Sequence, residues 1–164
     1  MNVTVIGVGY VGLVTGACFS TFDNKVKCYD IDKNKIDSLN NGISPIYEEN
    51  LSEILLDSIK ENKITFSSDL KESIEDSEII FLCVGTPEND DGSANLDYVF
   101  SAAEELASCI TNDVIVVCKS TVPVGTSEII YRKIYEKLEE NGSIFKVTLV
   151  SNPEFLREGS AVND

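Results

Sequence analysis

Three glycines in Gly7-Val8-Gly9-Tyr10-Val11-Gly12 stand at the spacing G-x-G-x-x-G, directly after the apolar run Val3-Thr4-Val5-Ile6. That pattern suits a strand turning tightly into a helix whose opening amides face a diphosphate. Gly7 permits the turn, Gly9 lets the backbone approach the phosphates without a Cβ in the way, and Gly12 lets the helix pack close to the sheet. The helix opening offers unpaired N–H groups and the positive end of its dipole, so Tyr10 and Val11 join the glycines as candidate cofactor contacts. An acid follows at the required distance: Asp30 ends a second strand-like run, Val26-Lys27-Cys28-Tyr29, 18 residues past Gly12. A carboxylate there accepts hydrogen bonds from the adenine-ribose hydroxyls and repels a 2′-phosphate, which favours NAD over NADP. Lys33 and Lys35 lie just beyond it. Lys35 is the candidate contact to ribose or pyrophosphate, with a solvated helix charge as the ordinary alternative.

Three more polar clusters follow strand-like runs: Gly85-Thr86-Pro87, Ser120-Thr121-Val122-Pro123-Val124-Gly125-Thr126, and Asn152-Pro153-Glu154-Phe155-Leu156-Arg157-Glu158. In an open α/β sheet, ligands bind outside the carboxyl ends of the strands, around the switch in strand order. Each cluster alone is ordinary turn chemistry, in which Pro sets φ and Thr or Ser caps a helix. Three of them in register with the glycine turn point to a site. Glu154 and Glu158 are four apart, so on a helical turn they share a face. Two acids there could handle protons or bind sugar hydroxyls; pairing with Arg157, or solvation, is the competing reading.

The elements that must position these residues alternate strand and helix, as in a doubly wound α/β domain of Rossmann type. After the first strand and helix, a second strand runs to Asp30 and a helix covers Asp32–Leu39, stopping at Asn40-Asn41-Gly42. Ser44-Pro45 breaks the chain, and Leu51, Ile54, Leu55, Ser58 and Ile59 repeat at helical spacing. Ile64–Phe66 is a short third strand, Asp69–Ile74 a short helix, and Ile79–Val84 a central strand covered on both faces. A polar loop at 88–93 leads to a helix carrying Leu96, Val99, Phe100, Ala103, Leu106 and Ala107 on one face. Val114–Cys118 is a fifth strand; Ile130, Ile134 and Leu138 mark a helix ending at Asn141-Gly142; Phe145–Val150 is a sixth strand. Six strands in two halves predict one mainly parallel sheet of order 3-2-1-4-5-6, with helices on both faces, over residues 1–164.

Composition narrows the partners. Lys and Arg total 13 against 28 Asp and Glu, a formal charge of −15, which argues against nucleic acid and anionic membranes. An anionic cofactor must then be held by local N–H groups and a few placed cations. No apolar run reaches the roughly 18 residues of a membrane span, and the opening residues carry no export leader, so a cytoplasmic protein is expected. The five cysteines, Cys18, Cys28, Cys83, Cys109 and Cys118, are odd in number and form no C-x-x-C, which fits neither a disulfide framework nor a zinc knuckle. They read as small buried hydrophobes, with Cys118 beside Lys119 the one thiol open to activation. Histidine is absent, which removes the usual general base and the commonest metal ligand. No metal site is expected.

Together these stretches resemble the N-terminal NAD-binding domain of the UDP-glucose 6-dehydrogenases, within the nucleotide-sugar 6-dehydrogenase family. The matching residues are Gly7–Leu13, Ser44-Pro45-Ile46-Tyr47-Glu48, Val84–Pro87, Lys119–Thr126 and Ser151–Gly159. Gly92-Ser93-Ala94 and Lys119–Thr126 fit the UDP-glucose members better than the GDP-mannose ones. One departure is Glu49-Asn50, where the family has Pro-Gly, so this loop is expected to sit differently.

The resemblance implies oxidation of a sugar's primary alcohol to a carboxylate by two NAD in succession, through a cysteine-bound thiohemiacetal and thioester. It places Asp30 and Lys35 on the adenosine side and Thr86 and Thr121 along the cofactor crevice, with Thr121 also holding a water for proton transfer. Glu154 becomes the acid/base residue that assists thioester hydrolysis, and Glu158 lies against the nicotinamide ribose. The family's nucleophilic cysteine, central helix and second α/β domain have no counterpart in these 164 residues, so this chain is expected to bind NAD and not to turn over alone. The full-length parent is expected to be a homodimer acting on UDP-glucose. A GDP-mannose or UDP-N-acetylmannosamine 6-dehydrogenase, or a non-catalytic NAD-binding module, are the alternatives.

Overall fold

In the computed structural model, which describes residues 1–163, the strands are β1 (Asn2–Ile6), β2 (Lys25–Tyr29), β3 (Ile64–Ser67), β4 (Ile79–Leu82), β5 (Val114–Cys118) and β6 (Val147–Ser151). Between them run α1 (Tyr10–Thr21), α2 (Lys33–Asn40), α3 (Leu51–Lys60), α4 (Leu70–Ile74), α5 (Asp97–Cys109) and α6 (Thr126–Glu140). The strand order is β3-β2-β1-β4-β5-β6, as the sequence predicts, and all five pairings are parallel. A parallel sheet needs a crossover at every step, and the helices that make the crossovers cover its faces.

Side-chain alternation along the strands sorts the apolar residues into two cores. Val3 and Val5 of β1 and Phe81 of β4 pack with Leu13, Val14 and Ala17 of α1 and Leu51 and Leu55 of α3. Ile6, Ile80, Leu82, Val114 and Val116 face the opposite way, onto Val99, Ala103 and Leu106 of α5 and Ile130 and Ile134 of α6. Each fully buried Leu or Ile of these sets contributes roughly 1.5–3 kcal/mol relative to an exposed one. Small residues let α1 lie close: a Cβ on Gly16 would stand 2.8 Å from Cys28 Sγ in β2. On the α1 side of β5 and β6 the covering is thinner, and Ile115 and Val150 remain 41% and 42% exposed.

Local signals set the boundaries. Asp32 caps α2 by accepting from the N–H groups of Asn34 and Lys35, and Asp69 caps α4 by accepting from that of Glu72. Gly42, at φ +75°, closes α2 with paired bonds from its own N–H to Leu39 O and from Ile43 N–H to Ser38 O. Asn50 takes the left-handed conformation (φ 64°) immediately before α3. A glycine is at home there, and Asn is one of the few other residues that tolerate it, so the Glu49-Asn50 departure still meets the backbone requirement. The sixth strand starts two residues later than the sequence predicts, because the Lys146 N–H is taken by the Asp113 carboxylate at 2.8 Å.

Candidate functional site

The glycine turn does three separate things in space. Gly7 adopts φ +94°, and a Cβ there would lie 2.8 Å from Cys83 O at the tip of β4. Gly12 is packed against the same turn, since its Cβ would fall 1.8 Å from Gly7 O. Gly9 is the opposite case: a Cβ there would meet nothing within 4 Å. Gly9 is also the N-cap of α1, with no side-chain cap bond and no acid in the first turn. The amides that begin α1 therefore point, without internal partners, into open space.

That space is a crevice of about 580 Å³ running across the carboxyl ends of β1, β2, β4 and β5. Gly7, Gly9, Tyr10 and Val11 form its floor, Asp30 and Lys35 one end, and Thr86 and Thr121 the other. Eight of the sequence-derived site residues thus share one hollow, while Gly12 is buried behind it. A diphosphate fits the floor, where an open glycine and unpartnered amides coincide.

Asp30 is 8% exposed and already well supplied with donors. Its Oδ2 accepts from the Val8 N–H at 2.9 Å and from Lys35 Nζ at 2.9 Å, and its Oδ1 from the Asp32 N–H at 3.0 Å. Burial pushes its pKa up, but the hydrogen bonds from Asp32, Lys35 and Val8 outweigh it and hold the carboxyl below its ordinary value. Two carboxylate oxygens offer about four acceptor sites; three are used, which leaves one on Oδ1 for a hydroxyl. At the other end, the Thr86 hydroxyl donates to Thr121 O at 2.8 Å, and that of Ser120 to Val84 O at 2.7 Å. These two bonds tie the loops after β4 and β5 together.

Glu154 and Glu158 do not line the crevice. The helical turn on which they would share a face is not formed: residues 152–157 are irregular, and 158–163 run through turns. The Glu154 carboxylate accepts from the N–H of Leu156, a bond across two residues that closes a local turn and withdraws that amide from any helix. Glu154 is half-buried and Glu158 exposed. Activation of Cys118 is overturned as well. The thiol is 1% exposed, and burial pushes its pKa up more than the Ser120 N–H brings it down. Burial likewise raises Cys18, Cys28 and Cys109, and lifts Cys83 to about 12.

Two parts of the surroundings are not among the site residues read from the sequence. Tyr98, Ser101, Ala102 and Glu105 of α5 form the crevice's far wall; the signal available was the polar side of an otherwise amphipathic helix. Glu48 is 4% exposed and accepts from the Tyr10 hydroxyl and from the amides of Gly159 and Ala161. Those amides are more than a hundred residues away, beyond the reach of any spacing rule.

Comparison with known proteins agrees with this geometry. The family model described as the UDP-glucose/GDP-mannose dehydrogenase family, NAD binding domain, matches residues 1–164. A UDP-glucose 6-dehydrogenase of Bacillus subtilis, YwqF, is 47% identical over 100% of this chain and 37% of its own length. A UDP-glucose 6-dehydrogenase of Pseudomonas aeruginosa is 46% identical over 100% of this chain and 36% of its own. The chain thus spans little more than a third of these relatives. Among solved structures, a GDP-mannose dehydrogenase of Pseudomonas aeruginosa superposes with a TM-score of 0.93 at 32% identity, covering 100% of this chain and 38% of that one.

Proposed function

The chain belongs to the UDP-glucose/GDP-mannose dehydrogenase family, of which it is the NAD-binding domain, and from that premise we propose that it is the cofactor half of a UDP-glucose 6-dehydrogenase. In that reading residues 1–164 are followed, in the whole protein, by a central helix and a second α/β domain that holds the sugar nucleotide. A primary alcohol, two NAD and one water become a carboxylate, two NADH and three protons. The observation that carries the reading is the single crevice with open amides at its floor and a buried, ionised Asp30 at one end. UDP-glucose is chosen over other sugar nucleotides because the relatives at 46–47% identity bear that name.

NAD supplies the hydride-accepting nicotinamide; the residues of this chain bind and orient it. The amides opening α1 receive the pyrophosphate, and Gly9 leaves the approach clear. Asp30 takes a ribose hydroxyl on its remaining Oδ1 site, with Lys35 neutralising the charge beside it. The same carboxylate turns away a 2′-phosphate. Thr86 and Thr121 shape the nicotinamide end. Glu154 acts as acid/base in releasing the acid, and Glu158 contacts the nicotinamide ribose. Both lie outside the crevice lining, on the loop that follows β6. The nucleophilic thiol comes from the remainder of the longer protein, a reading supported by the upward shift of all five thiols in this chain.

Two experiments test this. Thermal unfolding of the chain with NAD or NADP should show much the larger stabilisation by NAD; equal stabilisation would refute the role of Asp30. In the full-length protein, Glu154→Gln should slow release of the acid and let a covalent adduct build up, visible by mass spectrometry. An unchanged rate with no adduct removes Glu154 from the mechanism, and preference for GDP-mannose in NADH formation would replace the substrate.

A further inference from the structure

Glu48 is a buried carboxylate that the cofactor site does not use directly, yet one of its partners, Tyr10, lines that site. It sits in the connection between α2 and α3. Its Oε2 accepts from the Tyr10 hydroxyl and from the Gly159 N–H at 2.8 Å, and its Oε1 from the Ala161 N–H at 2.8 Å. The Tyr10 oxygen also accepts from the Gly159 N–H at 3.3 Å and approaches Arg157 O at 3.5 Å. Tyr10 therefore lines the cofactor crevice while its hydroxyl meets the segment immediately after Glu158.

We propose that Glu48, acting through Tyr10, is a positioning residue that fixes the acid-bearing loop 152–159 relative to the bound cofactor. This rests on the reading of Glu154 and Glu158 given above. Residues 152–157 make no regular structure of their own, so apart from Leu156, which packs against the core, their placement depends on the anchors at their two ends. At one end β6 anchors Ser151. At the other the buried Glu48 carboxylate collects the amides of Gly159 and Ala161. A hydroxyl from the first turn of α1 shares that carboxylate, so a cofactor pressing on the Tyr10 side chain presses on the loop's second anchor. The Tyr10 hydrogen bond is also the largest cause holding the Glu48 carboxyl below its ordinary range, which keeps all its acceptor sites available to the amides. An apolar residue would fill the same space but could gather no amides.

The test uses Glu48→Gln and Tyr10→Phe. A glutamine presents one acceptor oxygen and an NH₂ where the amides of Gly159, Ala161 and Val162 and the Tyr10 hydroxyl converge, so at least one amide loses its acceptor. In the full-length protein, with rates normalised to the concentration of NAD-binding sites so that unfolded enzyme does not count, Glu48→Gln should lower kcat about tenfold or more while the Kd for NAD moves less than about threefold. Tyr10→Phe leaves Glu48 and its amides in place and should give a smaller fall of the same kind. A kcat within twofold of wild type, or a loss of NAD affinity equal to the loss in kcat, would overturn the proposal.

A second readout needs no sugar substrate. Hydrogen exchange on the 164-residue chain should show NAD slowing the Gly159 and Ala161 amides in the wild type, and that protection should vanish in Tyr10→Phe. Protection that is absent in the wild type, or intact in the variant, refutes the coupling. If the full-length protein oxidises no sugar nucleotide, the proposed function fails while this exchange result still judges the coupling.

Discussion

Two alanine substitutions three residues apart, Gly9→Ala and Gly12→Ala, should separate what the glycine turn does for folding from what it does for binding. At Gly12 the added Cβ falls 1.8 Å from Gly7 O, against the 3.4 Å at which ordinary contact begins. The obstacle is backbone, so relief requires the start of α1 to move by more than an ångström. Overpacking of this kind costs about 3 kcal/mol at the upper end, offset by about 1 kcal/mol of helix propensity gained on replacing glycine. The net loss of about 2 kcal/mol lowers Tm by roughly 4–8 °C in a domain of this size.

At Gly9 the arithmetic differs. Alanine is worse than glycine at an N-cap by about 0.5–1 kcal/mol, and restricting the unfolded chain returns about 0.4–1 kcal/mol, so Tm should barely change. Binding should change greatly, because the new methyl stands where the phosphates approach. With NAD at about 100 times its wild-type Kd, the wild type gains about 2.7 kcal/mol, or roughly 5–11 °C. A hundredfold weaker variant gains about 0.4 kcal/mol at the same concentration, or roughly 1 °C. Differential scanning fluorimetry with and without NAD reads both effects. A Gly12→Ala protein as stable as wild type, or a Gly9→Ala protein with the full NAD shift, would refute the argument.

Other consequences are open to direct measurement. Because the folded pKa of Asp30 is depressed, its contribution to stability is complete above the ordinary value of 3.8 and is lost as pH falls through the lower folded value. The Tm gap between wild type and Asp30→Asn should therefore be constant near neutrality and close in acid; a gap that opens in acid would reverse the sign. With every thiol shifted upward, iodoacetamide at neutral pH should label Cys18 and Cys109 slowly, and Cys28, Cys83 and Cys118 only after unfolding. Rapid labelling of Cys118 in the folded protein, followed by peptide mapping, would contradict its burial. Thr86→Val removes an exposed hydroxyl donor to Thr121 O and should cost about 0.5–1.5 kcal/mol in urea unfolding; a cost of several kcal/mol would mean the two loops depend on that bond for folding.

Most of the scaffold could be read from the chain because its signals are local. Asp32, Asp69 and Gly42 mark helix ends within one turn, and continuous apolar runs mark β4 and β5 as interior strands, although Ile115 of β5 stays exposed on its thinly covered face. The crevice floor and Asp30 were legible because strand, turn and helix are consecutive there. What could not be read depends on contacts between distant segments. The Glu154 carboxylate closes on the amide of Leu156 and defeats the helical spacing that pairs it with Glu158. Lys119 is next to Cys118 in sequence, but the thiol is sealed inside the sheet, where neighbour identity counts for less than desolvation. Glu48 finds its partners at Tyr10, Gly159 and Ala161, and no periodicity connects those four positions.

The order in which the strands lie also bears on how the molecule is made. β1 is made before the other five strands yet lies in the middle of the sheet, and its second neighbour is β4. Until residue 82 has been synthesised, a nascent half-sheet of β1, β2 and β3 carries Val3, Val5 and Ile6 along an unsatisfied border. Parallel pairings across such long loops close slowly, and open borders of this type invite adhesion to other chains. During birth, then, the most protected strand of the finished protein is its most vulnerable one.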